Sequence, residues 1–371
     1  MALREGFGAR TMFRSLIGLA LLSTLLAAQR VEIYEDWHAD AVGEASFEKP
    51  AEGISFYYII RQSLEKKGYS VRHWDREAHK PFLLKWKSVQ SWTDFKHRLG
   101  IGLPRKQVLE GETAYLIFSN LGVHLRELDL GRIPKEKMIL FAWEPPSVQP
   151  EIWDPKIQKH FHKIYTWNDD LVDGIRFFKF YLPMFHPRIA EPIPYENRKF
   201  LTFIASRLSS KHPNELYSQR EKIIRFFEER PEVPFDLYGK FWAKKKFRVW
   251  KGVIPDKIAV LKQYRFAIAY ENSRETGYIT EKLWDCFAAA VVPIYWGAPN
   301  IESYIPSDCY IDRRKFKNDE ALLAYLEAMT KEEWETYIEK AGAFLKSEAT
   351  QKFTLEHYAR TLADAVAPLP H

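Results

Sequence analysis

Residues 265–297 read RFAIAYENSRETGYITEKLWDCFAAAVVPIYWG. The opening run FAIAY is short, continuous and apolar, as a strand buried on both faces of a parallel sheet must be. Its carboxyl end delivers Glu271-Asn272-Ser273, at the edge where open α/β sheets bind ligands. A polar loop with Gly277 and Tyr278 follows. Thr280 is placed to cap a helix expected over 281–290, with Glu281 and Lys282 in its first turn. A second apolar strand is expected over 291–296, ending at Gly297. A helix amino terminus attracts anions through its free N–H groups. Lys282 lies against that dipole. A surface lysine tolerates the penalty of about 0.3–1 kcal/mol, so the position is read either as incidental or as facing an anion.

The same pattern extends outward in both directions. Strands are expected over 199–205, 235–238 and 266–270, with helices over 214–230 and 258–264 between them. Residues 319–367 read as almost wholly helical, and Thr330-Lys331-Glu332-Glu333 has the form of a capping box. Upstream, strands are expected over 31–37, 69–74, 114–118 and 137–143, with a helix over 54–67 that Gly68 stops. Residues 183–194 carry Pro183, Pro187, Pro192 and Pro194, a linker-like density. Two alternating series joined by such a linker imply α/β architecture in two lobes with a cleft between them.

Composition narrows the function. Of 371 residues, 46% are apolar and 28% charged, which excludes a disordered or fibrous chain. Lys and Arg number 55 against 49 acids, a net charge of +6 that suits a small anionic ligand better than a nucleic acid. Two cysteines, Cys286 and Cys309, make no disulfide framework. No G-x-G-x-x-G follows an early strand, which disfavours a NAD enzyme. Asp169-Asp170 lacks the spacing of a metal-binding D-x-D pair, and His160 and His162 have no ligand spacing. At the amino terminus, Leu16 to Ala28 is uncharged and follows Arg4, Arg10 and Arg14. The run is shorter than the ~20 residues of a membrane span, so a secretory signal is the first expectation, with an uncleaved anchor or a cytoplasmic form left open.

The stretch ENSRETGYITEKLWDCFAAAVVPIYWG resembles the donor-binding signature of the α1,3-fucosyltransferases, glycosyltransferase family 10, and especially its bacterial members. The family pattern runs F-E-N-S, Y-x-T-E-K, V-P-x-x-x-G; here Tyr270 replaces the first Phe. FDLYGK at 235–240, KGVIPDKIAVLKQYRFAIAY at 251–270 and YIPSDCYIDRRKF at 304–316 extend the likeness. FAWEPP at 141–146 is similar to the family's Glu-Ser-Pro motif, with Pro145 for the serine.

The resemblance implies the GT-B arrangement: two Rossmann-like lobes facing a cleft, with a helical carboxyl-terminal segment. It divides the chain into a leader or anchor at 1–29, an acceptor lobe at 30–190, a donor lobe at 191–350 and a terminal helix at 351–371. It implies an inverting transfer of fucose from GDP-fucose to a glycan hydroxyl, expected at O3 of N-acetylglucosamine. No nucleic-acid partner and no obligatory metal are implied. Glu144 would be the general base; read without the family it is a glutamate before a Pro-Pro turn. Lys282 would meet the diphosphate together with Arg220, for which Arg207 is a rival. Glu281 would bind sugar hydroxyls of the donor, with Asn272 and Tyr278 lining the pocket. The basic run Lys244-Lys245-Lys246 with Arg248, Lys251, Trp242 and Trp250 either steers the donor or is a solvated loop. A different nucleotide sugar, or a non-catalytic binding relative, stays open. The segment 38–113, where acceptor choice would be set, does not align convincingly with the family.

Overall fold

The computed structural model describes residues 30–35, 56–73, 113–119, 134–186, 190–191, 193–243 and 246–366. Among them are two parallel six-stranded sheets. The first holds β1 (Arg30–Glu35), β2 (Ser70–His73), β3 (Thr113–Ser119), β4 (Met138–Ala142), β5 (Lys163–Thr166) and β6 (Phe177–Lys179), in spatial order β2-β1-β3-β4-β5-β6. The second holds β7 (Lys199–Ile204), β8 (Phe235–Tyr238), β9 (Trp250–Gly252), β10 (Tyr264–Tyr270), β11 (Val292–Trp296) and β12 (Ile311–Asp312), in order β12-β11-β10-β7-β8-β9. Numbered within its lobe, the second order reads 6-5-4-1-2-3. Winding therefore reverses between β7 and β10, and open α/β sheets bind ligands at such a crevice. Helices α1 (Phe56–Glu65), α2 (Pro155–Gln158), α3 (Tyr217–Glu228), α4 (Lys257–Leu261), α5 (Glu281–Ala288), α6 (Asp319–Ala328), α7 (Lys331–Leu345) and α8 (Leu355–Ala365) complete the lobes. This is the expected architecture of two Rossmann-like lobes with a helical carboxyl-terminal segment.

Burial explains which runs became central strands. All five residues of β4 are buried, and β10 is buried at all but Arg265. Along β10 the two-residue period sends Phe266, Ile268 and Tyr270 to one face and Ala267 and Ala269 to the other, each into its own apolar cluster. The capping box at Thr330 and Glu333 is present. The helix expected over 214–230 begins only at Tyr217. Residues 214–216 instead bind the loop after β10, with Leu216 N–H donating to Asn272 O (3.0 Å) and Arg274 N–H to Asn214 O (2.8 Å). Likewise the helix expected over 258–264 spans Lys257–Leu261, because Tyr264 already belongs to β10. The leader at 1–29, most of 38–113, Pro187, Pro192, Lys244 and Lys245 lie outside the described residues.

The last helix returns to the amino lobe. Tyr358, Ala359, Leu362 and Ala363 of α8 are buried with Val31 and Ile33 of β1, Ile60 and Leu64 of α1, and Ile139 and Phe141 of β4. The buried Lys163 ammonium donates to Ala365 O (2.9 Å), satisfying a carbonyl that the helix end leaves unpaired. Tyr358 makes two kinds of contact. Its ring packs edge-on against Phe141, and its hydroxyl accepts the Trp143 indole N–H (3.1 Å). Tyr358→Ala is expected to cost about 3–5 kcal/mol, the usual range for deleting a buried aromatic. Tyr358→Phe should cost only about 0.5–1.5 kcal/mol, the worth of one hydrogen bond. Urea denaturation midpoints of the two variants test that ranking.

Candidate active site

At the end of β10, the Glu271 carboxylate is fully buried and accepts two hydrogen bonds from Thr280, one from N–H (2.8 Å) and one from the hydroxyl (2.7 Å). Thr280 caps α5 as its sequence position implied. Gly297, at the end of β11, permits this corner. A Cβ there would lie 2.4 Å from Glu271 Cγ and 2.4 Å from the Tyr295 hydroxyl. Lys282 extends from the first turn of α5, its Nζ 3.0 Å from Thr280 Oγ1, 3.3 Å from Glu271 and 3.5 Å from Glu281. The lysine that opposes the helix dipole therefore already faces two carboxylates of its own chain, which offset part of its cost.

A cavity of about 340 Å³ opens in front of this corner, at the carboxyl ends of β7 and β10. It brings together Glu144, Arg220, Asn272, Tyr278, Glu281 and Lys282. Arg220, on α3, is 4% exposed. Its Nη2 donates to Tyr270 O (2.6 Å) and to Asn272 Oδ1 (2.8 Å), while its Nε meets no partner among the described residues. Arg207 is not brought in; it is paired with Glu221 (3.2 Å) and lies over the rings of Trp242 and Phe247. Burial opposes ionisation of Glu281, but Lys282 and Lys257 overcome it and hold its carboxyl at about 2. The site is thus a concentrated array of fixed cations and one firmly ionised acid.

Glu144 enters from the other lobe, just past β4. Desolvation raises its carboxyl to about 7; Lys282 pulls it down, and Glu281 and Glu271 push it up. Its backbone is held by indoles. Trp153 Nε1 donates to Glu144 O (3.0 Å), and Trp167 Nε1 donates to Trp143 O (2.8 Å). A carboxyl titrating near neutrality, aimed at a pocket of cations, can take up a proton at physiological pH.

Several residues of the site carried no signal that sequence reading caught. Lys257 lines the cavity and joins Asp285 (2.7 Å) and Glu281 (3.8 Å); it stands one residue before the helix expected over 258–264. Asp285 also binds His186 Nδ1 (3.0 Å) from the segment linking the lobes, and this hydrogen bond raises the histidine's pKa. Tyr217 is buried close to Glu144 and Arg220. The described members of the basic run, Trp242, Lys246, Arg248, Trp250 and Lys251, do not line the cavity. Arg248 pairs with Glu228 and Lys251 with Asp236, and the buried Trp242 donates to Ala205 O. Among the described residues, no group of three or more His, Cys, Asp or Glu could hold a metal ion, and no helix is long and apolar enough to cross a membrane.

Residues 195–351 match the model of glycosyltransferase family 10 (fucosyltransferase) C-term. GDP-fucose protein O-fucosyltransferase 3 of Xenopus laevis is 41% identical over 73 residues, 19% of this chain and 16% of that protein. Alpha-(1,3)-fucosyltransferase B of Drosophila melanogaster is 24% identical over 266 residues, 66% of this chain and 58% of that one. This chain therefore spans only part of the relatives it matches. A crystal structure of an α1,3-fucosyltransferase superposes with a TM-score of 0.54 at 14% identity, over 91% of this chain and 89% of that one. That likeness shows the fold, GT-B.

The corner at Thr280 generates a stability prediction. Thr280→Val leaves a wholly buried carboxylate short of a donor, and should cost about 1–3 kcal/mol. Thr280→Ser, which keeps the hydroxyl, should cost less than half as much. Equal losses in thermal or urea unfolding would show that the Glu271–Thr280 hydroxyl contact is not what holds the corner.

Proposed function

We propose that this chain belongs to glycosyltransferase family 10, whose C-terminal model matches residues 195–351, and that it moves fucose from GDP-fucose to a glycan hydroxyl with inversion, at O3 of N-acetylglucosamine. One observation carries the reading: a carboxyl titrating near neutrality, and a buried arginine with two partly buried lysines from the opposite lobe, line the same cavity. The names of the relatives support fucose as the sugar and GDP as its carrier.

The chemistry follows from where charge moves. The acceptor hydroxyl gives its proton to the Glu144 carboxylate as its oxygen forms a bond to the anomeric carbon. The bond from that carbon to the diphosphate breaks on the opposite face, and its electron pair goes to the departing GDP. Lys282, Arg220 and the amino terminus of α5 stabilise that negative charge, which develops most fully in the transition state. Glu281, ionised and fixed, accepts hydrogen bonds from donor hydroxyls, with Asn272 and Tyr278 beside it. These cations meet the diphosphate without a metal ion. Membrane association through residues 16–28, as leader or anchor, is part of the same reading.

GDP should stabilise the protein against heat, by about 2.7 kcal/mol at a hundred times its Kd, while UDP and NAD do not. A shift with UDP instead would reassign the donor. Glu144→Gln should cut turnover on the order of 10²–10⁴-fold and leave the GDP shift intact; losing both would make Glu144 structural. In the wild type, kcat/KM should rise with pH to a plateau above about 7, as the base loses its proton. A profile flat from pH 5 to 8 would remove Glu144 as the base.

A further inference from the structure

The first acid of the Asp169-Asp170 pair, Asp169, plays no part in the chemistry above, yet it joins the two lobes. It follows β5 in the amino lobe. Its carboxylate accepts from Tyr304 (2.6 Å) and Asn300 Nδ2 (2.8 Å) of the carboxyl lobe, and from Lys179 (2.6 Å) of β6. Its own N–H donates to Thr276 O (3.3 Å). Asn300 is used twice, because its Oδ1 accepts the Gly277 N–H (2.9 Å). Gly277 sits at φ 81°, and a Cβ on it would lie 2.4 Å from Trp167 O and 2.8 Å from Asp169 Oδ2. The loop between Ser273 and Thr280 is thereby pressed onto the amino lobe by contacts that centre on a single carboxylate.

One path leads from this joint to the chemistry. Tyr278 follows Gly277, is 2% exposed, and packs its ring 4.6 Å from that of Trp167. Trp167 in turn holds the Trp143 carbonyl, one residue before Glu144. The groups that face Glu144 come from the carboxyl lobe: Lys282, Glu281 and Glu271 around its charge, with the buried Tyr217 and Tyr278 beside it. If the joint opened, Tyr278 would withdraw from the amino lobe and water would reach the carboxyl.

We propose that Asp169 is a positioning residue: through Asn300, Tyr304 and Gly277 it holds the donor loop at a fixed distance from Glu144 and keeps that carboxyl dry. This deepens the transferase reading and rests on it for its kinetic half.

The test has two arms on the full-length chain. In the first, with no ligand present, hydrogen exchange at the Asp169 and Gly277 amides is compared between wild type and Asp169→Asn. Exchange should speed up at least tenfold at both in the variant; unchanged rates overturn the joint itself. In the second arm, GDP affinity should stay within about twofold while kcat falls on the order of ten- to a hundredfold, as expected for a displaced catalytic group. The low-pH limb of kcat/KM should also move from about 7 toward the ordinary carboxyl value of 4.5. Faster exchange with an unmoved limb would make Asp169 a brace only, and would overturn the positioning role. Tyr304→Phe, a milder change, guards against misfolding. It should move both readouts the same way, and the double variant should fall short of the sum. A wild-type chain with slow amides but no turnover would defeat the transferase reading, and the positioning role with it, while leaving the joint standing.

Discussion

The Glu271 carboxylate, sealed from solvent at the end of β10, accepts both the N–H and the hydroxyl of Thr280. A buried carboxylate without donors would be costly, so the chain has little freedom over where α5 begins. That one corner sets where Glu281 and Lys282 emerge. It also demands Gly297 across from it, since any side chain there would collide with Glu271 or Tyr295. The corner sits at the reversal between β7 and β10, where flanking loops splay apart and leave room for a ligand. Fold topology thus creates the crevice, and a buried hydrogen-bonded acid decides which side chains furnish it.

Charge in the crevice is arranged in advance. Lys282 stands among Glu271 and Glu281, Lys257 between Glu281 and Asp285, and Arg220 against the Tyr270 carbonyl and Asn272. Each cation is held by a partner that keeps its direction, so little reorganisation is needed when an anion arrives. Preorganisation of this kind is what lets fixed charges stabilise a departing diphosphate. The same partners explain how a lysine survives in the first turn of a helix before any ligand binds.

Local signals made the carboxyl lobe legible. Apolar-rich runs marked β7, β10 and β11, the short FDLY before Gly239 marked β8, and Thr280 announced the start of α5. The resemblance attached roles to Glu144, Arg220, Asn272, Tyr278, Glu281 and Lys282, and all six line one cavity. What stayed hidden depends on contacts distant in sequence. Strands β5, β6, β9 and β12 have two to four residues each, too few to display a period. The start of α3 is set by Asn272 and Arg274 reaching across from another loop. Asp169 looked like half of a failed metal motif, because Tyr304 and Asn300 lie far along the chain. Nothing in the pattern of α8 says that its apolar face belongs to the amino lobe.

The return of α8 bears on the site itself. Tyr358 takes the Trp143 indole N–H, Trp167 and Trp153 hold the carbonyls of Trp143 and Glu144, and Phe180 packs against both Trp143 and Tyr358. The base is therefore mounted on an aromatic frame to which the last helix contributes. Indole and phenol rings combine large apolar area with a single directional polar atom, so they exclude water and fix the backbone together. Their desolvation raises the Glu144 carboxyl, and Lys282, reaching from the opposite lobe, limits the rise. Neither lobe alone sets that balance. A carboxyl left in solvent would be too weak a base, and one buried without the lysine would keep its proton. Tuning a base near neutrality requires both lobes to be docked, which makes the interlobe contacts part of the chemistry as well as of the fold.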